Sequence, residues 1–243
     1  MSSELAYPDT VILLPVFRPG PHLGELVGDL IADGVAAPRI VVVDDGSGPG
    51  GEPALAAVRG LGCPVLRHPV NRGKGAALKT GFRYARGAHP GLDVVSADAD
   101  GQHRAADIRL VAERAGAGRI VLGVRRFDAM PPRSRLGNEV TRVLFRAVTG
   151  RYVSDTQTGL RAYPAELLDH LGEVEGERFE YEMNVLLDAA GAGRPLEEVV
   201  VPTTYLDGNA ASHFGGVTDS LRVYRPLLRF AVAGRPAASL TGR

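Results

Sequence analysis

Short apolar runs alternate along the chain with longer stretches of helical spacing. Thr10 to Phe17 (TVILLPVF), Arg39 to Val43 (RIVVV), Val65 to Arg67, Leu92 to Ser96 and Arg119 to Val124 are brief and, for the most part, continuously apolar. Such runs predict strands covered on both faces rather than one. Between them, His22 to Gly34 carries Leu23, Leu26, Val27, Leu30 and Ile31, the spacing of one helix face. Further helices are predicted at Pro53 to Leu61, Gly75 to Ala85 and around Ile108 to Ala115. This rhythm predicts an α/β fold, a Rossmann-type, mostly parallel sheet flanked by helices in a single domain. In open sheets of that kind, ligands bind beyond the C-terminal ends of the strands. We expect residues 1–9 to be an extension, 10–215 the domain, and 216–243 a C-terminal helix and tail.

Composition narrows the picture. The chain has 243 residues and a formal net charge of zero, so no global basic field argues for nucleic acid. Cys63 is the only cysteine, which excludes an internal disulfide and a cysteine-rich zinc site and fits a reducing compartment. No basic-then-apolar leader and no run of roughly 20 apolar residues is present. The expected location is cytoplasmic, with peripheral contact at the inner face of a membrane.

Three polar clusters follow predicted strands. Asp98-Ala99-Asp100-Gly101-Gln102-His103 places two carboxylates on one side of an extended segment. They repel unless a cation lies between them, and such oxygen ligands suit Mg²⁺ or Mn²⁺. A helix cap beside a solvated acid would use the same residues. Asp44-Asp45-Gly46-Ser47 can accept hydrogen bonds from a base or ribose, or build a turn. Asn71-Arg72-Gly73-Lys74-Gly75 has the form of an anion-cradling loop opening a helix. It lacks the spacing of a Walker A loop, and no GxGxxG follows the first strand.

Taken together and in order, LPVF, VVVDDGS, NRGKGAA, DADGQH and DTQTGLRA resemble the family 2 glycosyltransferases, and within them the dolichol- or polyprenyl-phosphate sugar synthases. The resemblance runs from about residue 10 to about residue 214 and implies a GT-A-like fold. It implies that Pro15 and Phe17 line a base pocket, with Asp44 and Lys74 also on the nucleotide. It implies that Asp98, Asp100 and Gln102 hold the metal and its diphosphate. Asp155 would lie close to the acceptor, Arg125 near the phosphates, and Arg161, Glu182 and His213 would be secondary site residues. Arg18-Pro19 stands where these enzymes commonly carry Asn-Glu. His213, in Ser212-His213-Phe214, replaces their usual cation.

The activity so implied is inverting transfer of a sugar from a nucleotide sugar of the GDP-mannose or UDP-glucose type to polyprenyl phosphate. An acceptor hydroxyl in a soluble molecule is the alternative, and it would need a base, for which Asp155 is the candidate. A catalytically idle nucleotide-sugar-binding protein is the rival from another class, and intact Asp98, Asp100 and Asp155 argue against it. A nucleotidyltransferase would carry a glycine-rich loop directly after the first strand, and Val16 to Gly20 is a poor match.

Seven arginines against two acids lie between Arg125 and Arg151. Arg133 and Arg135 are candidates for the acceptor phosphate, because Arg binds phosphate in bidentate fashion. Leu136, Val140, Val143, Leu144, Ala147 and Val148 predict an apolar helix stripe, with Arg135, Arg142 and Arg146 on another face. That helix is read either as core-facing with a solvated side or as a surface for phosphate headgroups. Glu180 and Glu182 predict the opening turn of a helix as well as secondary candidates. The apolar segment 224–234 ends without a membrane span, which leaves peripheral attachment, a separate membrane subunit or a soluble acceptor.

Overall fold

A computed structural model describes residues 7–125, 132–202 and 225–232. Strands β1 (Thr10–Val16), β2 (Ile40–Asp44), β3 (Val65–Arg67), β4 (Asp93–Ser96), β5 (Ile120–Arg125), β6 (Arg161–Tyr163) and β7 (Leu196–Val201) form one sheet in the order β3-β2-β1-β4-β6-β5-β7. All neighbours are parallel except β6, which runs antiparallel to both β4 and β5.

Alternate residues of β1 explain why its sequence is apolar throughout. Val11 and Leu13 join a core with Val41, Val43, Leu78, Phe82 and Phe145. Ile12 and Leu14 join a separate one on the opposite face with Leu23, Leu30, Val42, Leu55 and Ile108. Helices α1 (His22–Ala32), α2 (Glu52–Gly60) and α4 (Ala105–Ala112) supply the second core. Helices α3 (Lys74–Ala88), α5 (Pro132–Thr149), α6 (Leu168–Glu173) and α7 (Glu180–Gly191) supply the first. Helix α3 lies so close to β1 that a Cβ on Gly81 would come within 2.2 Å of the Leu13 side chain.

Strand order reverses between β1 and β4, since β2 lies on one side of β1 and β4 on the other. A crevice opens at such a point at the C-terminal strand ends. Val16, Asp44 and Ser96 end the three strands there. Antiparallel β6 brings the segment before it, 155–160, to the same end, because Arg161 pairs with Ser96 and with Leu122.

Several expectations change. Helix α1 stops at Ala32 rather than Gly34, whose φ of +99° is a left-handed helix-ending geometry. Helix α4 begins three residues earlier than predicted, where the Asp107 carboxylate accepts the Arg104 backbone N–H. The segment before β1 is packed from Tyr7 onward: the ring is buried and the Arg109 guanidinium lies 5.0 Å above it. The predicted apolar stripe of α5 divides. Leu144 and Val148 pack on the core, but Val140 and Val143 are exposed. Asn138 and Thr141 take the inward positions instead. A helix at 225–232 tucks Leu227 into the first core.

Candidate active site

The acidic turn after β2 divides its two carboxylates between two tasks. Asp44 is fully buried; it accepts the Ser47 N–H at 2.9 Å and the Arg67 Nε–H at 2.8 Å. Asp45 points into the glycine-rich loop. It accepts the backbone N–H groups of Arg72 (2.9 Å) and Gly73 (2.7 Å), and its Oδ1 is 2.7 Å from His68 Nδ1. His68 Nε2 in turn lies 3.0 Å from Thr80 Oγ1 on α3. The loop therefore does cradle an anion, and that anion is the chain's own Asp45. A further N–H at this helix start, that of Ala76, donates to the Glu177 carbonyl at 2.9 Å. Gly73, at φ +110°, permits this contact, since a Cβ would come within 2.4 Å of the Glu177 oxygen.

Lys74 follows the loop and turns toward β4. Its Nζ lies 2.7 Å from Asp98 Oδ1 and 3.1 Å from Glu182 Oε2, with 14% of the side chain exposed. Burial works against the ammonium, but Asp98 and Glu182 outweigh it and hold Lys74 above the ordinary lysine range. Burial likewise opposes the Asp98 carboxylate, and Lys74 outweighs it, so that Asp98 falls below its ordinary value. Gly159 makes this meeting possible. A Cβ there would lie 2.3 Å from Asp98 Oδ2 and 2.7 Å from Lys74 Nζ.

Asp100 closes on its own turn, accepting the Gln102 N–H (3.1 Å) and the Gln102 side-chain Nε2–H (2.8 Å). Burial and then the Asp98 charge push its carboxyl up. Beside them His103 is buried, its Nδ1 has no hydrogen-bond partner among the described residues, and burial pushes its pKa down. Among the described residues no three His, Cys, Asp or Glu side chains form a metal cluster. Two opposed carboxylates with an amide oxygen nonetheless fit a hard cation that keeps waters or phosphate oxygens as its other ligands. Burial first, and the Asp98 charge second, raise Asp100, so a cation there would relieve both.

Asp155 is wholly buried and held in a fork by Arg125, Nε to Oδ2 at 2.6 Å and Nη2 to Oδ1 at 3.0 Å. The loop carrying it is pinned by α5. Asn138 donates to the Ser154 carbonyl (3.0 Å) and accepts from the Thr156 N–H (3.1 Å), while Thr141 Oγ1 lies 2.8 Å from Thr156 Oγ1. Arg161 points inward beneath the loop. It donates to the carbonyls of Thr158 (2.8 Å), Glu182 (2.7 Å) and Thr156 (3.3 Å). Every one of these partners is backbone, so Arg161 ties the 155–160 loop to α7.

The geometry thus brings Lys74, Asp98 and Glu182 together and pairs Arg125 with Asp155. Pro15 near the end of β1 and Phe17 just after it are half-buried, and the Arg18 guanidinium lies 5.0 Å from the Phe17 ring centroid. Arg18 itself has φ +52°, uncommon for a side chain of its size. Glu180 accepts the N–H groups of Glu177 and Arg178 at 3.2 Å, the helix-opening role. Arg135 is exposed on α5. The side chain of Arg133 and all of His213 lie outside the described residues. Asp45, His68, Asn138 and Thr141 were not among the sequence candidates, and only Asp45 carried a signal, its place in Asp-Asp-Gly-Ser.

Acids after β2 and β4 and in the segment before β6 thus gather around the switch point of a Rossmann-type sheet, where open α/β sheets bind their ligands. The chain belongs to glycosyl transferase family 2, whose profile matches residues 11–172. It is 30% identical over 213 residues to an uncharacterised protein of Methanocaldococcus jannaschii, covering 84% of this chain and 85% of that one. It is 30% identical over 156 residues to a UDP-N-acetylglucosamine–dolichyl-phosphate N-acetylglucosaminyltransferase of Methanococcus voltae, covering 60% and 61% of the two chains. With a dolichyl-phosphate beta-glucosyltransferase of Dictyostelium discoideum it shares 26% over 209 residues, 79% of this chain and 62% of that one. The chain therefore spans under two thirds of the length of these last two proteins. The fold matches glucosyl-3-phosphoglycerate synthase from Mycobacterium tuberculosis, solved with Mn²⁺, UDP and glucosyl-3-phosphoglycerate, at a TM-score of 0.71 and 20% identity over 93% of this chain and 80% of that one.

Proposed function

We propose that this glycosyltransferase moves a sugar from a nucleoside diphosphate sugar to polyprenyl phosphate, with inversion at the anomeric carbon. One observation carries the choice of acceptor: two of the acids at this end of the sheet, Asp155 and Asp98, are already paired with cations. Asp155 is forked by Arg125 and Asp98 is paired with Lys74. A hydroxyl acceptor needs a carboxylate ready to take its proton. A phosphate monoester arrives as an anion and needs none. The names of the Methanococcus voltae and Dictyostelium discoideum relatives, both acting on dolichyl phosphate, support the same reading.

In the reaction, a phosphate oxygen of the acceptor bonds to the anomeric carbon as the bond to the diphosphate breaks. The departing diphosphate keeps the electron pair. Pro15 and Phe17, at and just after the end of β1, would meet the base of the donor, while Asp44, buried and holding Ser47 and Arg67, would fix the turn beside it. Arg125, fixed in direction by Asp155, brings its charge beside Asp98 and favours the phosphate groups. A divalent cation held by Asp98, Asp100 and Gln102 would neutralise charge on the diphosphate as it leaves. Arg133 and Arg135 would meet the acceptor phosphate from α5.

The test is direct. The protein is incubated with Mn²⁺, polyprenyl phosphate and a panel of nucleotide sugars, and the lipid fraction is analysed by mass spectrometry. A lipid whose mass has risen by one sugar residue is expected with at least one donor. Donor consumption with a soluble phosphorylated acceptor and no lipid product would overturn the choice of acceptor.

A further inference from the structure

Three elements meet at one ammonium. Lys74 opens α3, Asp98 follows β4, and Glu182 lies in the first turn of α7. Asp98 is also one of the two carboxylates that a cation would need, so one of its oxygens already carries a positive charge at contact distance. The local charges sharpen the conflict. Asp155 takes most of the Arg125 charge, which leaves Asp98, Asp100 and Glu182 chiefly against Lys74. Glu182 offers a second place for the ammonium: its Oε1 is buried and has no hydrogen-bond partner among the described residues, although its Oε2 already meets Lys74. A lysine has three N–H donors and can satisfy both oxygens.

We propose that Lys74 is a built-in competitor for the divalent cation, holding Asp98 until the ion, arriving with the nucleotide, shifts the ammonium onto Glu182. The inference rests on the cation-dependent reading above. Its consequence is an order of binding. The cation alone faces an occupied Asp98 and binds weakly. With a nucleoside diphosphate present, extra phosphate oxygens raise the ion's affinity enough to displace Lys74. Glu182 is then a positioning residue acting through Lys74, and Gly159 is the clearance that lets the ammonium reach Asp98.

The experiment measures Mn²⁺ binding by electron paramagnetic resonance of the free ion, without sugar donor, so that no turnover enters. Wild type, K74M, K74R and E182Q are titrated alone and with UDP or GDP, after their folding is checked by melting curves. K74M should bind Mn²⁺ about tenfold tighter or more without nucleotide, because a contact positive charge is gone. K74R should stay near wild type. E182Q should bind Mn²⁺ with nucleotide more weakly than wild type, since the ammonium has lost its alternative partner. Equal Mn²⁺ affinity in K74M and wild type, with wild type still binding Mn²⁺ beside the nucleotide, overturns the competition and leaves the cation-dependent function standing. Mn²⁺ bound by no form under any condition overturns both. Should K74M fail to fold, E182Q decides: unchanged affinity beside the nucleotide overturns the proposal.

Discussion

Asp100 shows what the site costs the fold. Its carboxyl is pushed up by burial and by Asp98, so the native state holds a proton there more tightly than the unfolded chain does. That group therefore adds stability as pH falls through its raised native pKa toward the ordinary Asp value, and withdraws it at neutral pH. Asp98, held below its ordinary value, behaves in the opposite sense: its contribution is present above the ordinary Asp pKa and is lost as pH falls through the lower native one. Asp100→Asn should accordingly melt at a higher temperature than wild type at pH 7 and lose transfer activity. The gap in melting temperature should close as pH drops through the Asp100 transition. A lower melting temperature for the variant at pH 7 would contradict this. Gly159→Ala tests the same pair by geometry, because its Cβ would collide with Asp98 Oδ2. It should reduce transfer by at least about tenfold, roughly 1.4 kcal/mol of activation free energy, with the nucleotide base contacts left alone. At this scale the place of Asp98 and Asp100 just after β4 was legible from the apolar run before them, whereas their spacing alone served a helix cap beside a solvated acid as well as a cation site. Arg161 was legible as a motif residue only. That its guanidinium binds backbone carbonyls depends on where β6 turns, which spacing does not encode.

Among the elements, the loop before α3 gives the sharpest contrast between pattern and structure. Glycines followed by a helix do specify an anion site, and the sequence shows as much. Which anion fills it depends on Asp45 reaching across from β2, a contact between residues 27 and 28 positions apart. Asp45→Asn would keep the shape and remove the charge from hydrogen bonds to two backbone N–H groups. Charge-assisted bonds contribute about 1.5–3 kcal/mol each. Urea unfolding should therefore show a loss of about 2 kcal/mol, together with weaker binding of nucleoside diphosphate as Lys74 loses its fixed approach. Unchanged stability would return Asp45 to a passive turn. Strands β6 and β7 were not read from the sequence. β6 has three residues and includes a buried arginine, and β7 alternates Leu196-Glu197-Glu198-Val199 at the sheet edge, without a continuous apolar run. The inward polar face of α5 was hidden for a related reason: Asn138 and Thr141 look like solvent positions until the loop they hold is in place.

For the whole molecule, the continuous apolar strands dictated the architecture, since a chain with two cores must cover its sheet on both faces. The reversal of strand order then sets where the candidate site residues gather. No helix among the described residues is long and apolar enough to cross a membrane. For the proposed lipid acceptor, helix α5 is the surface to consider. Helix α5 presents exposed Val140 and Val143 on the same element as exposed Arg135 and Arg146. Each basic residue near an anionic bilayer contributes about 1 kcal/mol, and salt screens the attraction. Vesicles containing anionic lipid should therefore retain the protein better than neutral ones in sedimentation assays, and less so at high salt. Equal retention at all salt concentrations would leave α5 as a solvated face.

The central claim is that the acceptor supplies its own anion, because Asp155 and Asp98 are occupied by Arg125 and Lys74. Polyprenyl phosphate and the matching polyprenol differ only in the phosphate. With a competent donor and Mn²⁺, mass spectrometry should find the sugar on the phosphorylated lipid alone, joined through its phosphate, with the configuration inverted. Transfer to the free hydroxyl of polyprenol at a comparable rate would contradict the account, because it would require a base that these paired carboxylates do not provide.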